Sequence, residues 1–318
     1  MKRLLKHLPT LAFLLFSVAG FAQQKTYKSE LGFNSENDAY LATGQDRYYT
    51  NGLFINFRSA ATKLDTLKYR KKIWSISAGQ TLYNAQTGAV PNEDYVDRPF
   101  AAYLYGGVSM QYFGKRENST KISLQVGTIG SAALGKPTQE LIHTTFGFYD
   151  INGWQFQVKN EIGVNINLQS HVFLYRSESK NIDFSMPIEA RIGNTFSGLK
   201  SGILLRIGTL NPFYHSVATN SNIATKQESG LQKKEFYFFL KPSLDLVLYD
   251  ATIRGGYFIT DKGPITYQSK PVVFAQQVGI AYANERWTLD FSAIFKTKEL
   301  QEMMQSNQYG SLNIYYRF

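Results

Sequence analysis

The chain has 318 residues, a formal charge of +10 and no cysteine, which excludes thiol catalysis, thiolate metal sites and disulfide stapling. Only 18% of residues are charged, while 21 are Tyr and 23 are Phe. That mixture suits strands alternating between lipid and lumen with aromatics at both interfaces, although a secreted β-sandwich could share it.

The N-terminus has the build of a secretory leader. Lys2, Arg3 and Lys6 form a basic region, Leu11 to Phe21 an apolar one, and Gly20-Phe21-Ala22 a small-residue cleavage site. Residues 1–22 are therefore expected to be removed, leaving 23–318 as one domain. An exported basic protein implies anionic partners, and phosphorylated envelope lipids fit better than nucleic acid, for which no basic–aromatic module is visible.

Just inside this mature end lies Glu36-Asn37-Asp38, followed by Asp46-Arg47-Tyr48-Tyr49-Thr50-Asn51-Gly52. Carboxylates, amides and a hydroxyl this close together can cradle a hard cation, which takes oxygen ligands. A polar hairpin loop would use the same residue types.

Alternating apolar segments follow at 27–36, 50–59, 72–83, 101–114, 119–129, 166–177, 184–196, 200–210, 234–248 and 251–259. A hairpin then turns at Ala283-Asn284-Glu285, and the chain closes on a strand with Leu312, Ile314, Tyr316 and Phe318 on one face. The count comes to thirteen, whereas a single-chain bacterial barrel has an even number. The weakest segment is 251–259, broken by Gly255-Gly256. With no domain-sized linker or internal repeat, the fold expected is all-β: a single antiparallel transmembrane β-barrel.

One segment departs from this rhythm. Pro137 to Phe146, ending before Gly147, predicts a short helix or helical loop on which Gln139 and His143 share a face. Of the four histidines, His7 belongs to the leader, His171 lies in a strand and His215 in a loop. His143 alone sits on the helical segment, where an imidazole could act as general base beside a cation that polarises an ester. The chain has no Gly-x-Ser-x-Gly elbow, HExxH motif or Walker loop.

Several motifs occur in a fixed order. They are Glu36-Asn37-Asp38, the Asp46–Gly52 block, Asp97-Arg98-Pro99-Phe100-Ala101, Gly127-Thr128-Ile129-Gly130 and Gln139 through His143. Gly153-Trp154-Gln155-Phe156-Gln157, Asn160-Glu161, Arg206-Ile207-Gly208 and Asn211-Pro212-Phe213 follow. Together they resemble the outer-membrane lipid A 3′-O-deacylase family, LpxR, over nearly the whole mature chain. The resemblance implies a monomeric barrel of about twelve strands in the outer membrane, its active site toward the cell exterior. It implies hydrolysis of the 3′-acyloxyacyl ester of lipid A with calcium (Ca2+) as cofactor, in a manner compared with secreted phospholipases A2.

By the same resemblance, Asn37 and Asp38 hold calcium and shape the oxyanion site, and His143 activates water. Thr50 and Gln139 join that polar cluster. Arg98 is a candidate for holding a lipid A phosphate or the ester region, or else a rim or lumen ion-pair residue. Glu36 is either a ligand or a strand-end charge. Tyr149, Asp150 and Glu161 follow His143 without supplying a matched acidic partner. Two other readings stand beside this one: an outer-membrane phospholipid hydrolase, and a non-catalytic channel or lipopolysaccharide-binding barrel.

Overall fold

The computed structural model describes residues 26–41, 46–62 and 68–318. The predicted leader, 1–22, lies outside the described residues, as does His7. Strands β1 (Ser29–Asn37), β2 (Tyr49–Ala60), β3 (Lys71–Tyr83), β4 (Ala101–Phe113) and β5 (Ser119–Ile129) lead into helix α1 (Gly135–Phe146). Then come β6 (Glu161–Arg176), β7 (Ile182–Gly193), β8 (Phe196–Gly202), β9 (Leu204–Thr209) and β10 (Glu235–Asp250). The one-turn helix α2 (Ala251–Arg254) precedes β11 (Val272–Ala283), β12 (Trp287–Lys296) and β13 (Asn307–Arg317).

Each strand pairs antiparallel with its neighbours, and β1 closes the ring against β13. Both β8 and β9 pair with β7 on one side and β10 on the other, so they are two halves of one barrel strand interrupted at Ile203. By register Pro242 of β10 falls opposite the break, and it has no N–H to give to the ladder. The ring therefore has twelve strands. The predicted strand at 251–259 is corrected: Asp250 caps a helical turn there, its carboxylate accepting from Thr252 N at 2.9 Å, and Ala251, Thr252 and Ile253 are buried.

The period-two pattern is what sorts the two faces of the wall. Leu31, Phe33, Ile55, Ile76, Val108, Ile122, Ile166, Leu246 and Phe291 all stand outside, exposed, as a lipid-facing band requires. Their strand neighbours turn inward and are polar. Glu30 pairs with Arg58 at 2.8 Å, and Arg206 pairs with Asp183 at 2.6 Å and with Glu235 at 3.3 Å. No described helix is long and apolar enough to cross a membrane.

At the end where β1 begins and β13 finishes, turns 114–118, 177–181 and 284–286 are short. The longer 210–234 segment turns back into the barrel there. Phe213 and Val217 pack against Leu204, Tyr237 and Phe239, and Lys71 Nζ donates to the Tyr214 and Ser221 carbonyls at 2.6 and 2.9 Å. Above this plug a cavity of about 230 Å³ is lined by Arg58, Lys121, His171, Glu189, Lys200 and Lys241, among others. The opposite end carries the two-residue turn 194–195 and the longer connections 38–48, 84–100, 130–160, 251–271 and 297–306, and the candidate site lies among the longer ones.

Candidate active site

β1 ends at Asn37 in an Asx turn. Its Oδ1 accepts from Ala39 N at 2.6 Å, and its Nδ2 donates to Asn51 Oδ1 of β2 at 2.5 Å. That turn places Asp38, buried, at the head of a 3-10 segment, Asp38–Leu41. The pairing of β2 with β3 is shifted between Tyr49 and Asn51, leaving Thr50 as the extra residue of a bulge. A bulge re-aims a side chain, and the fully buried Thr50 hydroxyl is aimed at two carboxylates. It donates to Asp46 Oδ1 at 2.9 Å and lies 3.4 Å from Asp38 Oδ1.

Helix α1 supplies the other side of the cluster. Gln80 Nε2 of β3 donates to the Ala133 carbonyl at 2.6 Å, tying the approach to the helix down. Gly135 sits so close to the wall that a Cβ there would lie 2.3 Å from the Trp154 ring and 2.6 Å from Ala102 Cβ. The helix ends at Gly147, whose φ of +71° suits glycine. Pro137 thus lies two residues inside the first turn.

Gln139 and His143 share the buried face, as their spacing predicts. Gln139 Oε1 accepts from Trp154 Nε1 at 2.9 Å, while its Nε2 is buried with no hydrogen-bond partner among the described residues. His143 Nδ1 lies 2.6 Å from the Tyr149 carbonyl. A carbonyl oxygen only accepts, so Nδ1 carries the proton and the neutral ring keeps its lone pair on Nε2. That nitrogen stands 2.9 Å from Asp46 Oδ2, out of line for a directed hydrogen bond, and the two make an ion pair only when Nε2 takes up a proton.

Asp46 therefore joins the two sides: Oδ2 faces His143, and Oδ1 accepts from the hydroxyl that also neighbours Asp38. Asp46 opens the Asp46–Gly52 motif, so the acidic group facing His143 precedes that histidine in the chain rather than following it. Glu161 is committed elsewhere, accepting from Asn194 Nδ2 at 2.8 Å and from the Tyr257 and Phe258 backbones.

The electrostatics suit a cation. Burial pushes the Asp38 carboxyl up to about 8, against the Arg47 N–H that donates to it at 2.8 Å, and Asp46 pushes it further the same way. Two carboxylates sharing one hydroxyl need a proton or a cation to neutralise them. Among the described residues no three His, Cys, Asp or Glu side chains form a metal cluster. The donors at hand are Asp38, Asp46, Thr50 and the Asn37 amide, an all-oxygen set of the kind calcium takes with water completing its shell. Burial, followed by the Asp46 charge, pushes the Tyr149 phenol up to about 12, so it stays protonated beside that carboxylate.

The structure brings Asn37, Asp38, Thr50, Gln139 and His143 to one end of the barrel, and leaves Arg98 out of the cluster. The Arg98 guanidinium is fully buried, 4.2 Å over the Tyr83 ring, 3.0 Å from Thr252 Oγ1 and 3.4 Å from Glu299 Oε2. Its placement corrects the phosphate-holding candidate in favour of the ion-pair alternative. With every guanidinium nitrogen facing a protein acceptor, it ties the 251–271 and 297–306 connections to the rim. Glu36 accepts from the Tyr49 hydroxyl and from Ser311 Oγ and points into the lumen. His171 packs on Phe213 inside the barrel, and His215 lies at the plugged end.

Known proteins bear on this geometry. A family model described as "Outer membrane protein LpxR" matches residues 8–318. No curated protein matches the chain. Among solved structures, LpxR from Salmonella typhimurium is similar with a TM-score of 0.73 at 19% identity, covering 91% of this chain and 100% of that one. The β domain of the Bordetella autotransporter BrkA gives a TM-score of 0.48 at 9% identity over 92% of this chain and 99% of that one. The NalP translocator domain of Neisseria meningitidis gives 0.44 at 8% identity over 100% and 98%.

Proposed function

The chain belongs to the LpxR family of outer-membrane lipid A 3′-O-deacylases, and from that premise we propose that the Asp38–Thr50–Asp46–His143 cluster is where the ester is hydrolysed. The observation that carries this reading is the position of Asp46 between the candidate base and the candidate cation site. His143 Nε2 takes a proton from water, and the water oxygen attacks the carbonyl carbon of the 3′ ester. The Tyr149 carbonyl fixes the ring through Nδ1–H, and the Asp46 carboxylate stabilises the imidazolium that forms. As the tetrahedral intermediate collapses, the bond from the acyl carbon to the 3′ oxygen breaks and the imidazolium returns its proton to that oxygen. The products are a free carboxylic acid and a 3′-hydroxyl.

Calcium held by Asp38 with Asn37, Thr50 and Asp46 would supply Lewis-acid polarisation of the ester carbonyl and charge for its oxyanion. Gln139 Nε2, without a partner among the described residues, is a nearby donor for a substrate oxygen or the attacking water. We assign the site end to the cell exterior, because five of its six connections are long, whereas three of those at the other end have five residues or fewer, as barrel topology has on the periplasmic side. The barrel closes within one chain, so the proposal needs no second subunit. A channel function fits less well: the 210–234 segment packs into the end where β1 begins, and Tyr49, Tyr83 and Tyr309 pack together beneath the site.

The test is mass spectrometry of lipid A and phospholipids from cells making native, His143→Ala or Asp38→Ala protein, with and without a calcium chelator. Loss of the 3′ acyloxyacyl group is expected only with native protein and free calcium. Full activity in the His143→Ala protein, or under chelation, overturns the reading. Loss of phospholipid acyl chains alone favours the phospholipase alternative.

A further inference from the structure

The face of α1 that carries the site runs through Gly135, Gln139 and His143, all buried. One more step along that stripe, three residues after His143, comes Phe146. A phenylalanine on the wall-facing side of a helix would ordinarily be covered, yet Phe146 is 69% exposed. Phe148, one residue past the helix cap, is 52% exposed. The two rings stack at 5.9 Å and 26°, and Phe148 meets the His143 ring edge-on at 5.4 Å and 81°. Between them, a Cβ built at Gly147 would touch nothing within 4 Å. An open apolar shelf thus abuts the imidazole, whereas the other aromatic neighbours of the cluster, Tyr149 and Trp154, each bring a polar group to it.

We propose that Phe146 and Phe148 form the binding surface for the acyl chain of the ester being cleaved, and that they set which chain length is accepted. The inference rests on the site assignment above, because it needs the scissile carbonyl beside His143. A chain leaving that carbonyl has its first methylenes within reach of Phe148 and the next ones on Phe146. Covering the two rings removes apolar surface from water on both partners, and each methylene that loses its contact weakens binding severalfold. The occupant is an aliphatic acyl chain rather than a phosphate, since neither ring offers a donor.

Purified native protein and a Phe146→Ser, Phe148→Ser double variant are compared in micelles on lipid A bearing a long or a truncated 3′ acyl chain. The double variant is expected to raise KM for the long chain about tenfold or more while changing that for the truncated chain less than about twofold. Phe146→Leu with Phe148→Leu should restore most of the difference, and the retained turnover of the truncated substrate shows that the variant is folded. An unchanged ratio of the two KM values, or an equal fall in kcat on both substrates, overturns the shelf. His143→Ala separates the two ideas. Full turnover there moves the site and discards the shelf with it, whereas an inactive His143→Ala protein with unaltered chain-length selectivity in the double variant discards the shelf alone.

Discussion

Asp46 Oδ2 stands 2.9 Å from His143 Nε2, although one residue precedes β2 and the other lies on the helix between β5 and β6. The other ring nitrogen is already spent on the Tyr149 carbonyl, so Asp46 faces the nitrogen proposed to take the proton from water. Asp46→Asn keeps the shape and removes the charge that stabilises the imidazolium. The expected result is a fall in kcat of about a hundredfold, the lower range for loss of acid–base assistance. Normal heat-modifiable migration on gels would show the barrel intact. Unaltered kcat would mean that the carboxylate serves the cluster in some other way.

Thr50 lies between the Asp46 and Asp38 carboxylates, donating to the first and neighbouring the second. Thr50→Val preserves the bulk of the side chain and removes its only oxygen. Losing a hydrogen bond to a charged group is worth roughly 1.5–3 kcal/mol, so the free calcium giving half-maximal activity should rise at least about tenfold. Titration of chelated protein with calcium reads this directly, and an unshifted midpoint would remove Thr50 from the cation site.

At Gly135 two effects oppose each other. Alanine is a better helix former by about 1 kcal/mol, but its methyl would lie 2.3 Å from the Trp154 ring. Overpacking of this kind costs about 1–3 kcal/mol, and any relief moves α1 away from β4. Gly135→Ala should therefore lower activity more than thermal stability, because the shift misplaces Gln139 and His143. Native kcat in this variant would show that the helix can adjust without moving its catalytic face.

Arg98 should behave as a brace. Burial raises the Glu299 carboxyl, but Lys296 and Arg98 outweigh it and hold the group down at about 2. A depressed carboxyl contributes stability that is present above its ordinary value of 4.5 and lost as pH falls from there toward about 2. That contribution is on the order of 3 kcal/mol, shared between the two cations. Arg98→Ala should lower the melting temperature at neutral pH and flatten the acid dependence of stability, with KM little changed. A large rise in KM without loss of stability would instead return Arg98 to the substrate.

Much of the wall was legible because lipid on one side and a polar lumen on the other impose a two-residue period, clearest in β5, whose predicted bounds match those found. The period fails where the backbone does something local. Residues 251–259 are the weakest of the predicted strand segments, broken at Gly255-Gly256, and the Asp250 cap starts a helical turn there. The break at Ile203 is hidden because both halves keep the same facing. In the site, Gln139 and His143 were readable as a pair from helical spacing. Asp46 was not singled out, since no periodicity ties a residue before β2 to a helix beyond β5. Arg98 shows the converse: a motif placed it near the site, while its burial among Tyr83, Thr252 and Glu299 depends on loops far along the chain.

The seam between β1 and β13 joins the beginning and the end of the described chain, and its site end seats the turn that presents Asp38. Tyr40 of that turn packs directly over Gly310 of β13. A chain still awaiting its final strand lacks this seat, so the carboxylate that would hold the cation has no fixed position until the ring is complete. With the proposed site, hydrolytic competence would then follow closure of the ring in the membrane rather than precede it.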